Sequence, residues 1–309
     1  MERLIDINSS PVANYLDILL KDMTTGKNII WATDAYLKYG EDFGDKNQLF
    51  SKTFFGAKSQ IIRPRIEKSM EEQQERTKKK AEVFTPSWLC NEMNNYCDEE
   101  WFGRKDVFNI EYEDHTWIVN EHKIEFPNDK NWKDYVTSTR LEITCGEAPF
   151  LVSRYDSSTG ELILPPLNRI GILDRKLRVV NENTTSEKEW LNWVEKAYQA
   201  TYGYEYQGDN LLIARVNLLL TYYDYYKERF DKDPDYKEVQ KIAKIITWNI
   251  WQMDGLQDTV PLGKPFVNAE QISLFDNENE NSKEISVPCK IKNWKTKKII
   301  TFKECKEIR

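Results

Sequence analysis

Three acidic residues stand at the ends of short apolar segments that lie far apart along the chain: Glu142, Glu205 and Asp254. Each segment is typical of a β-strand, so the three carboxylates are predicted to lie at one edge of a parallel sheet. Cys145 and Gly146 follow Glu142 closely, and the glycine allows the backbone to approach a ligand. Acids and a tight turn at the carboxyl ends of parallel strands are typical of a site for a nucleotide-like cofactor.

The chemistry of S-adenosylmethionine matches such an arrangement, because this molecule joins an adenine, a ribose and a cationic amino-acid tail. The Glu205 carboxylate can accept hydrogen bonds from both ribose hydroxyl groups. Asp254 can accept from the adenine amino group, and Glu142 stands beside the turn where the cationic tail would lie. The alternative for Glu205 and Asp254 is a surface acid at the end of a strand, and Asp254-Gly255 is also an ordinary turn pair.

The elements that must position these residues alternate along the chain. Apolar segments predict strands over residues 136–144, 202–206 and 248–252. Amphipathic segments predict helices over residues 187–198, 209–230 and 235–246. A further helix is expected directly after the turn at Gly146. Alternating strands and helices are typical of a parallel, doubly wound sheet, so we expect an α/β fold with a Rossmann-like core.

Three parts are expected along the 309 residues. Residues 1–80 are predicted to form a helical N-terminal extension, and residues 81–260 form the core. Residues 261–309 are predicted to be a linker with a small basic β appendage, whose two short strands cover 287–294 and 298–303.

The N-terminal extension ends in a charged stretch, residues 65–80. Acids and bases at near-neighbour spacing predict a solvated helix there. The alternative is an arm that contacts phosphate groups through its basic residues, Arg63, Arg65, Arg76 and 78–80.

Composition limits the function classes. Hydrophobic residues make up 40% of the chain and aromatic residues 13%, which is enough for a sizeable buried core. The net charge of −7 argues against a surface that grips DNA by bulk charge. That net charge is compatible with DNA binding through a local basic groove or a basic partner subunit.

Other compositional features bear on location and metals. A run of about 18 apolar residues is missing, so we expect no membrane partner. The chain has five cysteines and no Cys-x-x-Cys pair, which predicts reduced thiols. Its N-terminal residues lack the pattern of a secretory signal, so we expect a cytoplasmic protein. With 2 histidines in the chain, a metal site is not expected.

Phe84-Thr85-Pro86 and the later segment 142–151 occur in an order that resembles a known family. Over roughly residues 80–260 the chain resembles the amino-group-specific DNA methyltransferases, in particular the adenine-specific modification subunits labelled restriction endonuclease subunit M. In that family a Phe-Thr-Pro element leads into the first helix, and an Asp-Pro-x-Cys-Gly-x-Gly-x-Phe-Leu loop follows. Four residues match the loop, namely Cys145, Gly146, Phe150 and Leu151. Three replace its Asp, Pro and second Gly, namely Glu142, Ile143 and Ala148.

The resemblance implies a Rossmann-like, S-adenosylmethionine-dependent methyltransferase core. It implies cofactor contacts from seven residues: Phe84, Thr85, Glu142, Cys145, Gly146, Glu205 and Asp254. It further implies double-stranded DNA as a partner, together with a separate specificity or restriction subunit. By its own chemistry, Cys145 is predicted to be a small buried residue rather than a nucleophile.

The catalytic loop of that family has no counterpart in this sequence. The loop joins Asn, Asp or Ser to Pro-Pro and an aromatic residue, and its oxygens accept hydrogen bonds from the target amino group. Leu164-Pro165-Pro166-Leu167 lacks the acceptor and the ring, and Gly263-Lys264-Pro265-Phe266 offers a lysine, which only donates. Asn293 and Trp294 supply an acceptor and a ring, and they are the remaining candidates for catalysis.

Two more departures concern the turn itself. Ala148 fits the turn only if that residue avoids a positive φ. Glu147 could bind the ammonium group of the ligand or cap the helix that is expected to follow. Two hypotheses therefore stand. One is an adenine-specific DNA methyltransferase-like subunit of a restriction–modification system, and the other is an inactive pseudo-methyltransferase that serves as a DNA-binding or protein-interaction scaffold.

Overall fold

The computed structural model of the chain describes residues 3–54, 56–80, 82, 85–263 and 286–307. Its α-helices are α1 (Leu16–Leu19), α2 (Met70–Lys80), α3 (Ser87–Phe102), α4 (Trp132–Thr137), α5 (Ile172–Asn183), α6 (Glu187–Gln199), α7 (Gly208–Phe230), α8 (Tyr236–Asn249) and α9 (Phe302–Glu307). Its strands are β1 (Asn109–Glu111), β2 (Trp117–Val119), β3 (Arg140–Glu142), β4 (Thr201–Glu205), β5 (Ile250–Gln252), β6 (Lys290–Lys292) and β7 (Ile299–Thr301).

A three-stranded parallel sheet with the order β3-β4-β5 lies at the centre of the fold. Parallel neighbours need long connections, which are supplied by α5 and α6 before β4 and by α7 and α8 before β5. In this register Glu142 lies opposite Gly203, and Glu205 lies opposite Gln252. The prediction of a mixed α/β fold with a parallel sheet is confirmed, and the sheet brings the ends of β3 and β4 to one edge.

The two faces of β4 have different neighbours, because successive side chains of a strand point to opposite faces. Tyr204 packs in a cluster with Trp251 and Phe302, so the C-terminal segment covers this face of the sheet. On the other face Gly203 lies against Cys145, and a Cβ atom on Gly203 would come within 3.3 Å of its sulfur. The expected C-terminal β appendage is present as the antiparallel pair of β6 and β7.

The N-terminal segment packs into the same hydrophobic core as the helices that flank the sheet. Buried residues such as Leu19 and Trp31 belong to one cluster with the buried residues of α7 and α8. The beginning of α7 is held directly, since the backbone N–H of Gly208 donates to the carbonyl oxygen of Trp31 at 2.9 Å. A Cβ atom at position 208 would overlap the carbonyl oxygen of Ile30, so this contact requires glycine.

Regular helix covers less of the N-terminal part than the sequence predicts. Among the described residues up to position 80, α1 and α2 are the α-helices, and short 3-10 turns with irregular backbone make up the remainder. The strand predicted over 136–144 is also shorter, because residues 132–137 form α4. A capping box between Asn131 and Asp134 fixes the start of that helix.

The helix expected directly after the turn at Gly146 does not form there, and α5 begins only at Ile172. The carboxylate of Asp156 accepts from the backbone N–H groups of Ser158 and Thr159. Such a side-chain turn offers the backbone an alternative to helix. Within the described residues, no helix combines the length and the apolar character that crossing a membrane requires.

Candidate cofactor-binding site

An open cavity of about 750 Å³ lies at the carboxyl ends of β3 and β4, and we call it the strand-end cavity. Residues that line it include Thr85, Glu142, Cys145, Gly146, Glu147 and Glu205. Five of these are among the seven residues that the sequence assigned to a cofactor. The volume is in the range of natural small-molecule sites, about 300–1,000 Å³.

Glu205 holds the turn at Gly146 in place. Its Oε2 accepts from the backbone N–H of Gly146 at 2.9 Å, and its Oε1 accepts from the backbone N–H of Gln207 at 3.0 Å. Burial raises the pKa of Glu205 to about 7, against the opposing effect of these two backbone donors. The carboxyl group therefore titrates near neutral pH, and each oxygen keeps acceptor capacity for a ligand.

Glu142 carries a polar atom that the described residues leave unsatisfied. The residue is 8% exposed, and its Oε2 has no hydrogen-bond partner among them. Burial raises the pKa of Glu142 well above its usual value; the backbone N–H groups of Phe150 and Leu151 oppose this shift, and Glu205 adds to it. This shift favours the protonated carboxyl group, and a donor or cation beside Oε2 would favour the carboxylate instead, so this atom marks a place where a ligand's donor or cation would be stabilised.

The backbone of the turn is left-handed at three positions, with φ of +47° at Thr144, +53° at Gly146 and +66° at Ala148. A Cβ atom on Gly146 would meet no heavy atom within 4 Å, so the space beside it is open. Ala148 adopts a positive φ, so the condition under which an alanine would fit this turn without strain is not met. Its left-handed conformation costs about 1–2 kcal/mol relative to ordinary backbone.

Cys145 is a packing residue, as predicted from its chemistry. Its side chain is buried, and its backbone N–H donates to the carbonyl oxygen of Tyr204 at 2.8 Å. Burial raises the pKa of its thiol well above the usual value, and Glu142 and Glu205 raise it further. The thiol therefore stays protonated, which disfavours a nucleophilic role.

Glu147 is occupied by protein groups and performs neither of the two roles expected for it. Its Oε1 accepts from the backbone N–H of Arg65 at 2.6 Å, and its Oε2 accepts from the hydroxyl of Tyr155 at 2.6 Å. No helix follows for it to cap, since α5 starts only at Ile172. Glu147 instead ties the turn to the N-terminal segment.

The Phe-Thr-Pro element reaches the cavity through Thr85, whose carbonyl oxygen accepts from the hydroxyl of Ser157 at 2.7 Å. Phe84, which the sequence also assigned to the cofactor, lies outside the described residues.

Asp254 lies outside the strand-end cavity as the described residues define it. Its Oδ1 accepts from the backbone N–H groups of Leu256 at 3.0 Å and of Gln257 at 3.3 Å. This geometry is that of an Asx turn. The structure therefore brings Glu142 and Glu205 together at the turn, whereas the Asp254 carboxylate stabilises the loop that contains it.

The catalytic candidates Asn293 and Trp294 also lie away from the strand-end cavity. Asn293 is in the turn between β6 and β7, where its Oδ1 accepts from the backbone N–H of Thr296 at 3.0 Å. The indole N–H of Trp294 donates to Oδ1 of Asn249 at 2.7 Å. Residues 264–266 of the other candidate segment lie outside the described residues.

Sequence reasoning missed a buried cluster of charges beside the cavity. Arg65, Lys68 and Arg76 are buried, so the prediction of a solvated charged stretch is wrong for these three residues. Arg76 pairs with Glu82 at 2.6 Å and with Asp209 at 2.9 Å. The signal that could have indicated this cluster is Asp209 itself, an acid in the first turn of a helix whose residues 211–214 are all apolar.

Comparison with protein-family models, with curated proteins and with solved structures finds no match for this chain.

Proposed function

We propose that this chain is an S-adenosylmethionine-dependent, adenine-specific DNA methyltransferase-like subunit of a restriction–modification system. The observation that carries the proposal is the convergence of Glu142, Gly146 and Glu205 around one open cavity at the ends of two parallel strands. Ligands of open α/β sheets bind at this edge. The resemblance of the segment 142–151 to the cofactor loop of these methyltransferases supports the choice of ligand.

The residues of the strand-end cavity fit S-adenosylmethionine. The unsatisfied Oε2 of Glu142 suits a cationic group, and the ligand carries positive charge on its sulfur and on its ammonium group. Each oxygen of Glu205 accepts one backbone N–H and has a further lone pair for a ribose hydroxyl. When bound, this cofactor supplies an electrophilic methyl group, and the residues named here bind it and orient it.

Double-stranded DNA and a separate specificity or restriction subunit are the proposed partners. The net charge of −7 supports a division of labour in which a partner supplies most of the attraction to DNA phosphates. All five cysteines are free thiols, and this supports a reducing location such as the cytoplasm.

A specific observation favours a second candidate, the pseudo-methyltransferase scaffold. Asn293 and Trp294 both make their contacts away from the strand-end cavity. A chain of this kind would keep the cofactor cavity and bind DNA or a partner protein without transferring a methyl group.

Transfer of tritiated methyl groups from S-adenosylmethionine to mixed-sequence DNA tests the proposal, with Glu205→Gln as the matched variant. Incorporation above background that the variant loses supports a methyltransferase. Cofactor binding without incorporation favours the scaffold. If neither binding nor incorporation occurs with the purified chain, the methyltransferase proposal is refuted.

A further inference from the structure

A second cavity, of about 360 Å³, lies between the segment 33–39 and α2. We call it the tyrosine cavity, and the residues that matter in it are Tyr36, Tyr39, Arg63, Lys68 and Arg76. Its volume is within the range of small-molecule sites.

Arg76 separates the two cavities. It lines the tyrosine cavity, and its Nη2 donates to Oε1 of Gln207 at 3.3 Å and to Oδ1 of Asn210 at 3.2 Å. Gln207 and Asn210 both line the strand-end cavity. The tyrosine cavity is therefore a neighbour of the proposed cofactor site and not a part of it.

Lys68 gives the tyrosine cavity a buried cation with donors to spare. Its side chain is 4% exposed, and its Nζ donates to Oδ2 of Asp209 at 3.1 Å. That carboxylate oxygen is the hydrogen-bond partner of Nζ among the described residues, whereas an ammonium group has three N–H donors. Buried donors are stabilised by acceptors, and a charged donor is stabilised most by an anion.

The Oδ2 atom of Asp209 interacts with other groups besides the ammonium group of Lys68. It lies 2.9 Å from Nη1 of Arg76, and it accepts from the hydroxyl of Tyr36 at 2.6 Å. Burial opposes ionisation of Asp209, but Arg76 and Lys68 together hold its pKa well below the usual value. Arg76 has Glu82 as a second carboxylate partner at 2.6 Å, and Asp209 is the carboxylate that pairs with Lys68 among the described residues, so the remaining N–H donors of Lys68 are available to a further acceptor.

The rim of the cavity adds a ring and more cations. Tyr39 is 36% exposed, so part of its ring is open to a ligand. Lys38 and Arg63 both pair with Glu72, each at 2.8 Å, and so these two cations share one carboxylate. The remaining acids of the lining, Asp34 and Glu75, are exposed at the rim, where water and salt screen their charge.

We propose that the tyrosine cavity binds a nucleoside phosphate, with the phosphate at Lys68 and the base stacked on Tyr39. Aromatic rings beside cations bind nucleotides in this way without regard to base sequence. The nucleotide comes either as a free molecule or as one unit of a single strand, since both present the same chemistry. The inference stands on this cavity and does not rest on binding of S-adenosylmethionine.

Isothermal titration calorimetry with the full chain tests the proposal, using thymidine diphosphate, thymidine and a short oligothymidylate. Thymine probes keep an adenosine-binding cavity from contributing to the signal. We expect Tyr39→Ala to weaken binding about 5- to 100-fold, the effect of removing one base stack. Lys68→Gln should also weaken binding of the phosphorylated probes, and both variants should stay folded because Asp209 keeps Arg76 and Tyr36.

The control variants are Tyr96→Ala, an exposed tyrosine of α3 with 63% exposure, and Glu205→Gln in the strand-end cavity. Both should leave binding of the thymine probes unchanged. Tighter binding of the oligothymidylate identifies the single strand as the source, and tight binding of thymidine diphosphate alone identifies the free nucleotide. Failure of both phosphorylated probes to bind at millimolar concentration overturns the proposal. So does equal affinity for thymidine, or an affinity that Tyr39→Ala or Lys68→Gln leaves unchanged.

Discussion

The backbone N–H of Gly146 donates a hydrogen bond of 2.9 Å to Oε2 of Glu205, across a sequence separation of 59 residues. This bond joins the turn after β3 to the end of β4, and it fixes the edge of the strand-end cavity. Because the Glu205 carboxylate both holds the turn and lines the cavity, a change at this residue should affect stability and ligand binding together.

The stability of the protein should fall as pH rises from about 4.5 to about 7. Burial raises the pKa of Glu205 from 4.5 to about 7, so within this window the folded chain holds a proton that the unfolded chain has released. The contribution is present below the unfolded pKa and is lost as pH passes the folded pKa, up to about 3 kcal/mol. Asp174, whose pKa burial raises to about 6, acts in the same direction.

Urea unfolding at several pH values checks this prediction with wild type and Glu205→Gln. The variant cannot titrate at this position, so its stability should change less across the window. A wild-type stability that rises from pH 5 to 7, or an identical profile for the variant, would contradict the assigned shift.

Gly146→Ala should lower both stability and ligand affinity, whereas Gly103→Ala should lower stability alone. Both glycines have positive φ, +53° and +70°, and a Cβ atom on either would meet nothing within 4 Å. Backbone strain should therefore destabilise each variant by a similar amount, about 1–2 kcal/mol. Only Gly146 lines the strand-end cavity. Equal ligand affinity of the two variants, measured by calorimetry, would argue against a ligand at the turn.

Asp209→Asn should destabilise the protein by about 3–5 kcal/mol, because it leaves Lys68 and Arg76 buried without their shared carboxylate. The matched control is Asp233→Asn. Asp233 pairs with Lys227 at 2.9 Å, but their side chains are 70% and 59% exposed, so the loss should stay below about 1 kcal/mol. Urea midpoints of the two variants provide the comparison. If both lost the same small amount, the cluster at Asp209 would not be the stabilising unit described here.

The strand ends could be predicted from sequence because their signals are local. Short apolar segments ending in Glu142 and Glu205 indicate strands, and parallel strands that share a sheet bring such ends together. Long helices such as α7 were equally predictable, since the apolar pattern runs through most of their length.

The pairing within the charge cluster could not be predicted, because its partners are distant in the sequence. Lys68 and Asp209 are 141 residues apart, and nothing near Lys68 distinguishes it from a solvated lysine. For Asp254 a local signal was present, but it was ambiguous. Its local pattern is compatible with a ligand contact or a turn, and hydrogen bonds from Leu256 and Gln257 account for the turn.

The turn after β3 shows how one residue can change the element that follows. A helix was expected there, but Ala148 adopts a left-handed conformation that ends any helical course. The chain then takes an irregular path to Ile172, and the first helix of the crossover starts late. A positive φ at alanine is rare, and its signal in the sequence is that Ala148 stands where the loop that this segment resembles has glycine.

Titration of S-adenosylhomocysteine into wild type, Glu205→Gln and Asp254→Asn tests the central claim most directly. At pH 8, where Glu205 is mostly ionised, we expect a single site in the wild type, with affinity at least about tenfold weaker in Glu205→Gln, because a hydrogen bond to a charged group is worth about 1.5–3 kcal/mol. Asp254→Asn should bind within about twofold of wild type, since asparagine can keep the turn and the residue lies outside the strand-end cavity. No binding at millimolar ligand, or unchanged affinity in Glu205→Gln, would contradict the assignment of this cavity to the cofactor.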